Sequence, residues 1–468
     1  MKSPVIRGRP PGTTFDSVDR TRLPVPGPAK ALTFPALEKS VLPNGLRLWT
    51  VRHAQVPLVA LLMLIRRGAA SDEPGKEGLA AMTADMLDEG SGALSAIDLH
   101  QKMARIGAQF DTDIGSDATV AGMTVLTRFI EPALSLLSDI VSRPALREED
   151  FTRVRQLRLH RLKQLRDMPA TVADRAFLRL LYGDQPYGHS PIGTESALAS
   201  VTIDDVRAFH RAAIRPSDAT LIAVGDTNHQ EIARIAAAEF SGWTGEAQAP
   251  PGKSGLAPER SALAIVPRPD APQSELRIGH VAAARDTPDY HPLVVGNMIL
   301  GGQFVSRINL NLREDKGFTY GARTAFEFRR RPGPFVLQVG VQTGATARAI
   351  EESIGELNAI RGSRPVTPEE LSMAIAALTR GYARNFETAE QIARGAMQLA
   401  LYDLPDDYFA QFVPGIERVT CADVTRAMAA HLDPARLTTL IVGDLDAIGP
   451  ELRGLKLGDP AILATDSF

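Results

Sequence analysis

Arg313 and Tyr320 are the two residues of this chain whose types and spacing point most directly at chemistry. They flank Lys316-Gly317 in the stretch LGGQFVSRINLNLREDKGFTYGARTAF, Leu300 to Phe326. Lys316 in a last turn with Gly317 just past it reads as a helix stop. A helix is therefore expected through Ser306, Arg307, Leu310 and Leu312, and an extended segment from Phe318. That spacing predicts that both side chains converge on one point above the helix end. A planar guanidinium and a phenol hydroxyl aimed at one spot suit a carbonyl oxygen that gains negative charge when water attacks. The plainer reading pairs Arg313 with Glu314 or Asp315 on a wet surface and makes Tyr320 a core aromatic with a satisfied hydroxyl.

Other candidates carry less. Asp85, Asp88 and Glu89 put three carboxylates on one side of a helix end, which suits a hard cation or, more simply, solvent. Arg329-Arg330-Arg331 before Pro332-Gly333-Pro334 reads as a basic hairpin turn, a charged loop by default. Gly301-Gly302 is too short for a phosphate loop and follows no strand. No nucleophile elbow surrounds any serine, which removes the serine-hydrolase reading.

The elements that must position these residues follow from composition and periodicity. At 468 residues the chain exceeds one core, and its net charge of -3 gives no electrostatic case for nucleic acid or an anionic membrane. Cys421 is the only cysteine, so neither an internal disulfide nor a thiolate metal cluster is expected. The longest apolar run, Leu58 to Ile65, is too short to span a bilayer and fits a buried strand. The opening MKSPVIRGRPPG is basic but leads into no apolar segment, so no secretory signal is expected in it. Strands are predicted over Asn44–His53 and Leu58–Arg66, a helix over Gly75–Leu87, another over Ile97–Ile106, and two strands within Gln109–Thr127. Helices follow over Phe129–Val141, Arg147–Arg166 and Ala173–Leu181. Strand Ser274–Ala283 alternates as a sheet edge would, where an extended peptide could add as a further strand.

The chain also repeats itself. Val201-Thr202, Asp205-Val206, Ala212, Pro216, Thr220 and Val224-Gly225-Asp226 each recur 218 positions later, ending at Val442-Gly443-Asp444. Pro144 with Glu148-Glu149 is echoed by Pro365 with Glu369-Glu370. Two copies of one α+β unit of about 210 residues are expected. The division is a Pro-rich extended arm over 1–37, a first half over 38–243, a linker over 244–262 and a second half over 263–468.

This order of strands, helix pairs and the Val-Gly-Asp strand end resembles the pitrilysin family of inverted-motif zinc peptidases. The likeness runs from Leu42 to Asp444, and its most specific piece is Leu312-Arg313 through Gly317 to Tyr320. It implies a fold of two homologous α+β halves in tandem, each a mixed sheet packed with helices. It also maps the family's peptide-contacting Arg and Tyr onto Arg313 and Tyr320. The family's His-x-x-Glu-His motif falls on Ala81, Ala84 and Asp85, so both histidines and the general base are missing. The remaining glutamate ligand should fall near Leu159–Leu162, yet Phe151 to Arg166 holds no Asp or Glu. Arg153, Arg155, Arg158, Arg161, Lys163 and Arg166 form instead a cationic face expected to repel zinc, with His160 the lone donor nearby.

The resemblance thus implies a chain without metal or cofactor of its own, the subunit lacking the zinc motif in a two-subunit peptidase. Zinc is expected on a partner carrying His-x-x-Glu-His, with Arg313 and Tyr320 lent to an unfolded peptide held there. The isolated chain is expected to be inactive, with no nucleic acid partner and no membrane span. Alternatives are an inert scaffold or peptide-binding member of the family, or a homodimeric peptide binder. Related bacterial pairs are often exported, which favours the periplasm, with the cytoplasm as the alternative.

Overall fold

The computed structural model describes residues 32–246, 248–249 and 262–464. Residues 1–31 of the expected arm, and residue 247 with residues 250–261 of the expected linker, lie outside them. The end of the arm is docked: Phe34 is buried, its ring 5.3 Å from that of Phe386 and 5.0 Å from that of Phe409.

The strands are β1 (Glu38–Val41), β2 (Arg47–Arg52), β3 (Leu58–Ile65), β4 (Gln109–Ile114), β5 (Thr119–Leu126) and β6 (Ala219–Gly225) in a first sheet. A second sheet holds β7 (Leu263–Pro267), β8 (Gln273–Val281), β9 (Ala322–Phe326), β10 (Pro334–Gln342), β11 (Thr438–Gly443) and β12 (Ala461–Ile462). Their spatial orders are β1-β2-β6-β3-β5-β4 and β9-β10-β8-β11-β7-β12. Read backwards, the second matches the first, β7 standing for β2, β11 for β6, β8 for β3, β10 for β5 and β9 for β4. The pairing senses agree: β2–β6 and β7–β11 are parallel, and the remaining shared ladders are antiparallel. The repeat in the sequence is thus a repeat in topology.

Matching caps reinforce it. Helices Ile203–Ala213 and Cys421–His431 both open on capping boxes, Thr202 with Asp205 and Thr420 with Asp423, each side chain bonded to the other's backbone N–H.

β3 explains why LVALLMLI is apolar throughout. Alternate residues point to opposite faces, and both faces of this strand are covered. Leu61, Met63 and Ile65 join the first half's own core, whereas Ala60 and Leu62 pack against Ile392, Ala393 and Ala396. Those residues belong to helix Ala389–Tyr402, which comes from the second half. Reciprocally, Val172, Ala176 and Phe177 of helix Pro169–Tyr182 pack on Val266, Val336 and Leu440 of the second sheet. Each half therefore donates one helix to the other's sheet.

One expectation is corrected. β8 is not an edge: β10 flanks it on one side and β11 on the other, so its backbone is already paired and no peptide can add there. The second sheet ends instead at β9. The basic turn does join the antiparallel strands β9 and β10 as a hairpin, and its residues are held against the first half. Arg329 pairs with Glu327 and lies over the Tyr187 ring, while the Arg330 N–H donates to Asp117 and the Arg331 N–H to the Tyr187 hydroxyl. Asp117 and Tyr187 follow strand and helix of the first half, so the turn clasps the two halves together.

Candidate functional site

Helix Leu79–Asp85, on which the resemblance places the family's metal motif, follows β3. Its start is fixed by a carboxylate that the sequence reading did not single out. Asp72 is fully buried, accepts the N–H groups of Gly78 and Ala80 at 2.7 Å each, and faces His189 Nε2 at 3.0 Å. An anion at a helix N-terminus satisfies orphan donors and complements the dipole. Ala81 and Ala84 are buried, and Met82 packs with Phe151, Val154 and Leu162 of helix Glu148–Arg166.

Asp85 is paired with Arg158 of that same helix, whose guanidinium also donates to the carbonyls of Pro191 at 3.2 Å and Ile192 at 3.3 Å. An ion pair therefore ties together the two helices that a metal would bridge. The residues do not fit zinc. Ala81 and Ala84 offer no donor atom, and the one carboxylate present is engaged by a fixed positive charge. Among the described residues no three His, Cys, Asp or Glu side chains are grouped to hold a metal ion. His160 is exposed.

The Arg-rich helix differs from the bare cationic face expected. Arg153 pairs with Glu89, Arg158 with Asp85 and Arg166 with Glu195, and Arg155 donates to the Val201 carbonyl. Opposite charges supplied by other elements engage Arg153, Arg158 and Arg166, while Arg161 and Lys163 remain exposed. Nor do Asp85, Asp88 and Glu89 act as a cluster, since Asp88 meets His100 at 3.0 Å and the other two go to separate arginines. Burial raises the Asp88 carboxyl above its usual range against the pull of His100.

The second region is built differently. Ser306, extended at φ -75° and ψ 161°, follows a turn at Phe304-Val305, and the helix beginning at Arg307–Asn309 widens into an i→i+5 turn over Leu310–Asp315. Arg307, buried, anchors it through two bonds to Glu370 at 2.7 and 2.6 Å and one to the Arg364 carbonyl at 2.7 Å. Asn309 clamps it to the sheet edge, donating to the Ala322 carbonyl at 2.8 Å and accepting the Ala322 N–H at 2.9 Å. The extended segment starts at Ala322, later than Phe318. Gly317 at φ +65° reverses the chain, and Thr319, donating to the Gly340 carbonyl at 2.7 Å and accepting the Gly321 N–H, holds a turn instead of a ladder.

Arg313 and Tyr320 flank this turn, and among the described residues no hydrogen bond or ring contact joins them directly. Arg313 donates twice to Glu314 at 2.9 and 2.6 Å, and its guanidinium lies 3.2 Å from the centre of the Phe304 ring. Its Nη1 is buried with no partner among the described residues. Tyr320 is 94% exposed, so it is no core aromatic. Neither lines the open cleft of about 510 Å³ among Gly301, Phe304, Asn309, Gly321, Arg323 and Gly340, but Arg313 rests on its Phe304 and Tyr320 directly precedes its Gly321. At Gly301 a Cβ would come within 2.7 Å of the Thr324 N–H, so only glycine lets this segment run against β9.

The reading of the sequence missed Phe304, 70% exposed, and Val305, 46% exposed, beside the cleft. Two apolar residues directly before a helix-opening Ser306 were the available signal. Among the described residues no helix is long and apolar enough to cross a membrane.

Comparison with known proteins follows this geometry. Residues 48–195 match the family described as insulinase (peptidase family M16), and residues 200–378 match that described as the peptidase M16 inactive domain. An uncharacterized zinc protease of Mycobacterium leprae is 24% identical over 346 residues, 73% of this chain and 77% of that protein. The uncharacterized zinc protease YmxG of Bacillus subtilis is 24% identical over 330 residues, 70% of this chain and 79% of its own length. In fold, the chain resembles a peptidase M16 inactive domain from Pseudomonas fluorescens, with TM-score 0.81 at 23% identity over 87% of this chain and 98% of that one. A protease from Helicobacter pylori superposes with TM-score 0.80 at 19% identity, covering 87% and 99%.

Proposed function

We propose, on the premise that the chain belongs to the M16 (pitrilysin) peptidase family, that it is the zinc-free subunit of a heteromeric metallopeptidase and contributes peptide-gripping groups to its partner. The observation that carries this reading is the contrast at the two sites. The Asp85–Arg158 pair fills the place the resemblance gives to the metal, while near an open cleft Tyr320 is 94% exposed and the Arg313 Nη1 has no partner among the described residues.

In this reading the partner bears His-x-x-Glu-His and supplies all metal chemistry. This chain binds and orients. Phe304 and Val305 give an apolar platform for side chains of an unfolded peptide. Arg313 and Tyr320 donate to the scissile carbonyl as its oxygen gains charge, and stacking on Phe304 fixes the guanidinium so that it needs little reorganisation. Donors must stand at the right place, and a second polypeptide can place them.

The test is reconstitution. The purified chain is expected to cleave nothing alone and to support cleavage of an unstructured peptide when a His-x-x-Glu-His subunit is added. Arg313→Ala is expected to abolish most of that cleavage while assembly and the partner's zinc content stay unchanged. Full activity in that variant defeats the assignment. The Glu314 pairing of Arg313 favours a second reading, a catalytically inert structural or peptide-binding member of the family. It predicts complex formation, or peptide binding, with no cleavage that depends on Arg313 or Tyr320.

A further inference from the structure

A second cavity, of about 330 Å³, lies wholly apart from the cleft, among helices Tyr290–Asn297, Ala389–Tyr402 and Tyr408–Glu417. Its floor is Arg285, a charged side chain only 8% exposed. Among the described residues no carboxylate forms an ion pair with it. Its neighbours are rings instead: the guanidinium carbon lies 3.7 Å from the centre of Tyr290, 4.8 Å from Tyr408 and 5.8 Å from Tyr402.

Buried arginines normally meet an acid, because desolvating a cation without a counter-charge is costly. Ring faces offset part of that cost but carry no net charge, so the cavity keeps a positive potential. Arg394, exposed at its rim, also makes no ion pair among the described residues and adds to it. The Tyr408 hydroxyl, buried beside Arg285, lacks a hydrogen bond of good geometry. The walls are aromatic: Tyr382 stacks on Phe412 at 4.3 Å between centroids, and Phe386 lies 4.9 Å from Phe409.

We infer that this cavity binds a small aromatic carboxylate, its acid group on Arg285 and Tyr408 and its ring among Tyr382, Phe386 and Phe412. One buried cation matches one carboxylate, and guanidinium geometry suits that acid in a two-bonded pair. The ring contributes stacking in edge-to-face or offset geometry with the walls. The volume is at the small end of ligand cavities, right for a single-ring acid. Nothing in the argument depends on the peptidase reading, since the cleft and its residues lie elsewhere.

The full chain titrated with benzoate by calorimetry is expected to show saturable binding, at least tenfold tighter than benzamide, its neutral isostere, and tighter than acetate or inorganic phosphate. Arg285→Gln is expected to weaken benzoate at least tenfold. Should that variant fold poorly by circular dichroism, Arg394→Gln, at an exposed position, is expected to weaken it several-fold with the melting profile unchanged. Benzoate binding no tighter than benzamide, or unchanged in a folded Arg285→Gln, or, where that variant does not fold, unchanged in Arg394→Gln, overturns the site. Phosphate binding as tightly as benzoate overturns the ligand class.

Discussion

The two halves share a sheet order, a pairing scheme and a pair of exchanged helices, and differ most where their chemistry would lie. Around helix Leu79–Asp85 the carboxylates are matched inside the fold, Asp72 to backbone and His189 and Asp85 to Arg158, whose Nε is the one guanidinium nitrogen there without a partner among the described residues. Around Leu310–Asp315 Arg313 has an orphan Nη1, while Tyr320 is 94% exposed and Phe304 is 70% exposed. A region whose polar groups are satisfied internally works as structure. A region that leaves a buried donor and large aromatic surface unmatched is stable only because its neighbours hold it, and it is ready for something outside the chain.

The sharpest way to break this contrast is to mutate both regions in a reconstituted complex. Arg313→Ala or Tyr320→Phe is expected to lower turnover by about two to three orders of magnitude, as loss of one transition-state donor does. Asp85→Asn in the closed metal position is expected to leave turnover within about twofold, since it touches no substrate. Equal losses at both sites would erase the distinction between them.

The shared scaffold comes next. Phe177, buried against the second sheet, is part of the helix exchange. Phe177→Ala is expected to cost about 3–5 kcal/mol in denaturant unfolding, with the two halves losing structure together. Separate transitions at unchanged total stability would show that the exchange does not couple them.

Smaller effects test how alike the repeats are. Thr202→Ala and Thr420→Ala remove equivalent caps and are expected to cost about 1 kcal/mol each. The smallest difference is one of pH. His210 and Met428 occupy equivalent positions, 218 apart, and both are buried. Burial holds the His210 imidazole below its ordinary value of 6.5, against the hydrogen bond it donates to the Val141 carbonyl. The unfolded chain therefore takes up a proton that the folded imidazole resists. Its contribution to stability is full above about 6.5 and declines as the pH falls below that value. His210→Met is expected to flatten that decline in melting curves between about pH 5 and 6.5, and an unchanged slope would place the titration elsewhere.

Much of this was legible in the residues. The capping residues, Pro216 and Pro434, and the Val-Gly-Asp strand ends recur at one spacing because each sets a local backbone geometry, and local geometry is written in local residue types. The missing metal donors were equally plain, since Ala81 and Ala84 have no atom to bind with. The helix through Arg307 was readable from its stop at Gly317, though its widening after Asn309 was not. The edge strand was misassigned at Gln273–Val281 because alternation reports which face a side chain takes, not how many neighbours the backbone has.

The sequence by itself determined that there are two similar halves, that Ala81, Ala84 and Asp85 stand where the resemblance places the metal motif, and that Arg313 and Tyr320 are the groups worth testing. Only the tertiary structure decided that Asp85 is held by Arg158, that Arg313 rests on Phe304, that Arg285 sits among rings without an acid, and that each half covers the other's sheet. An apolar stripe or a lone charge states that a partner is needed. Which partner it finds depends on contacts between residues far apart in the chain, and those exist only once the halves have packed.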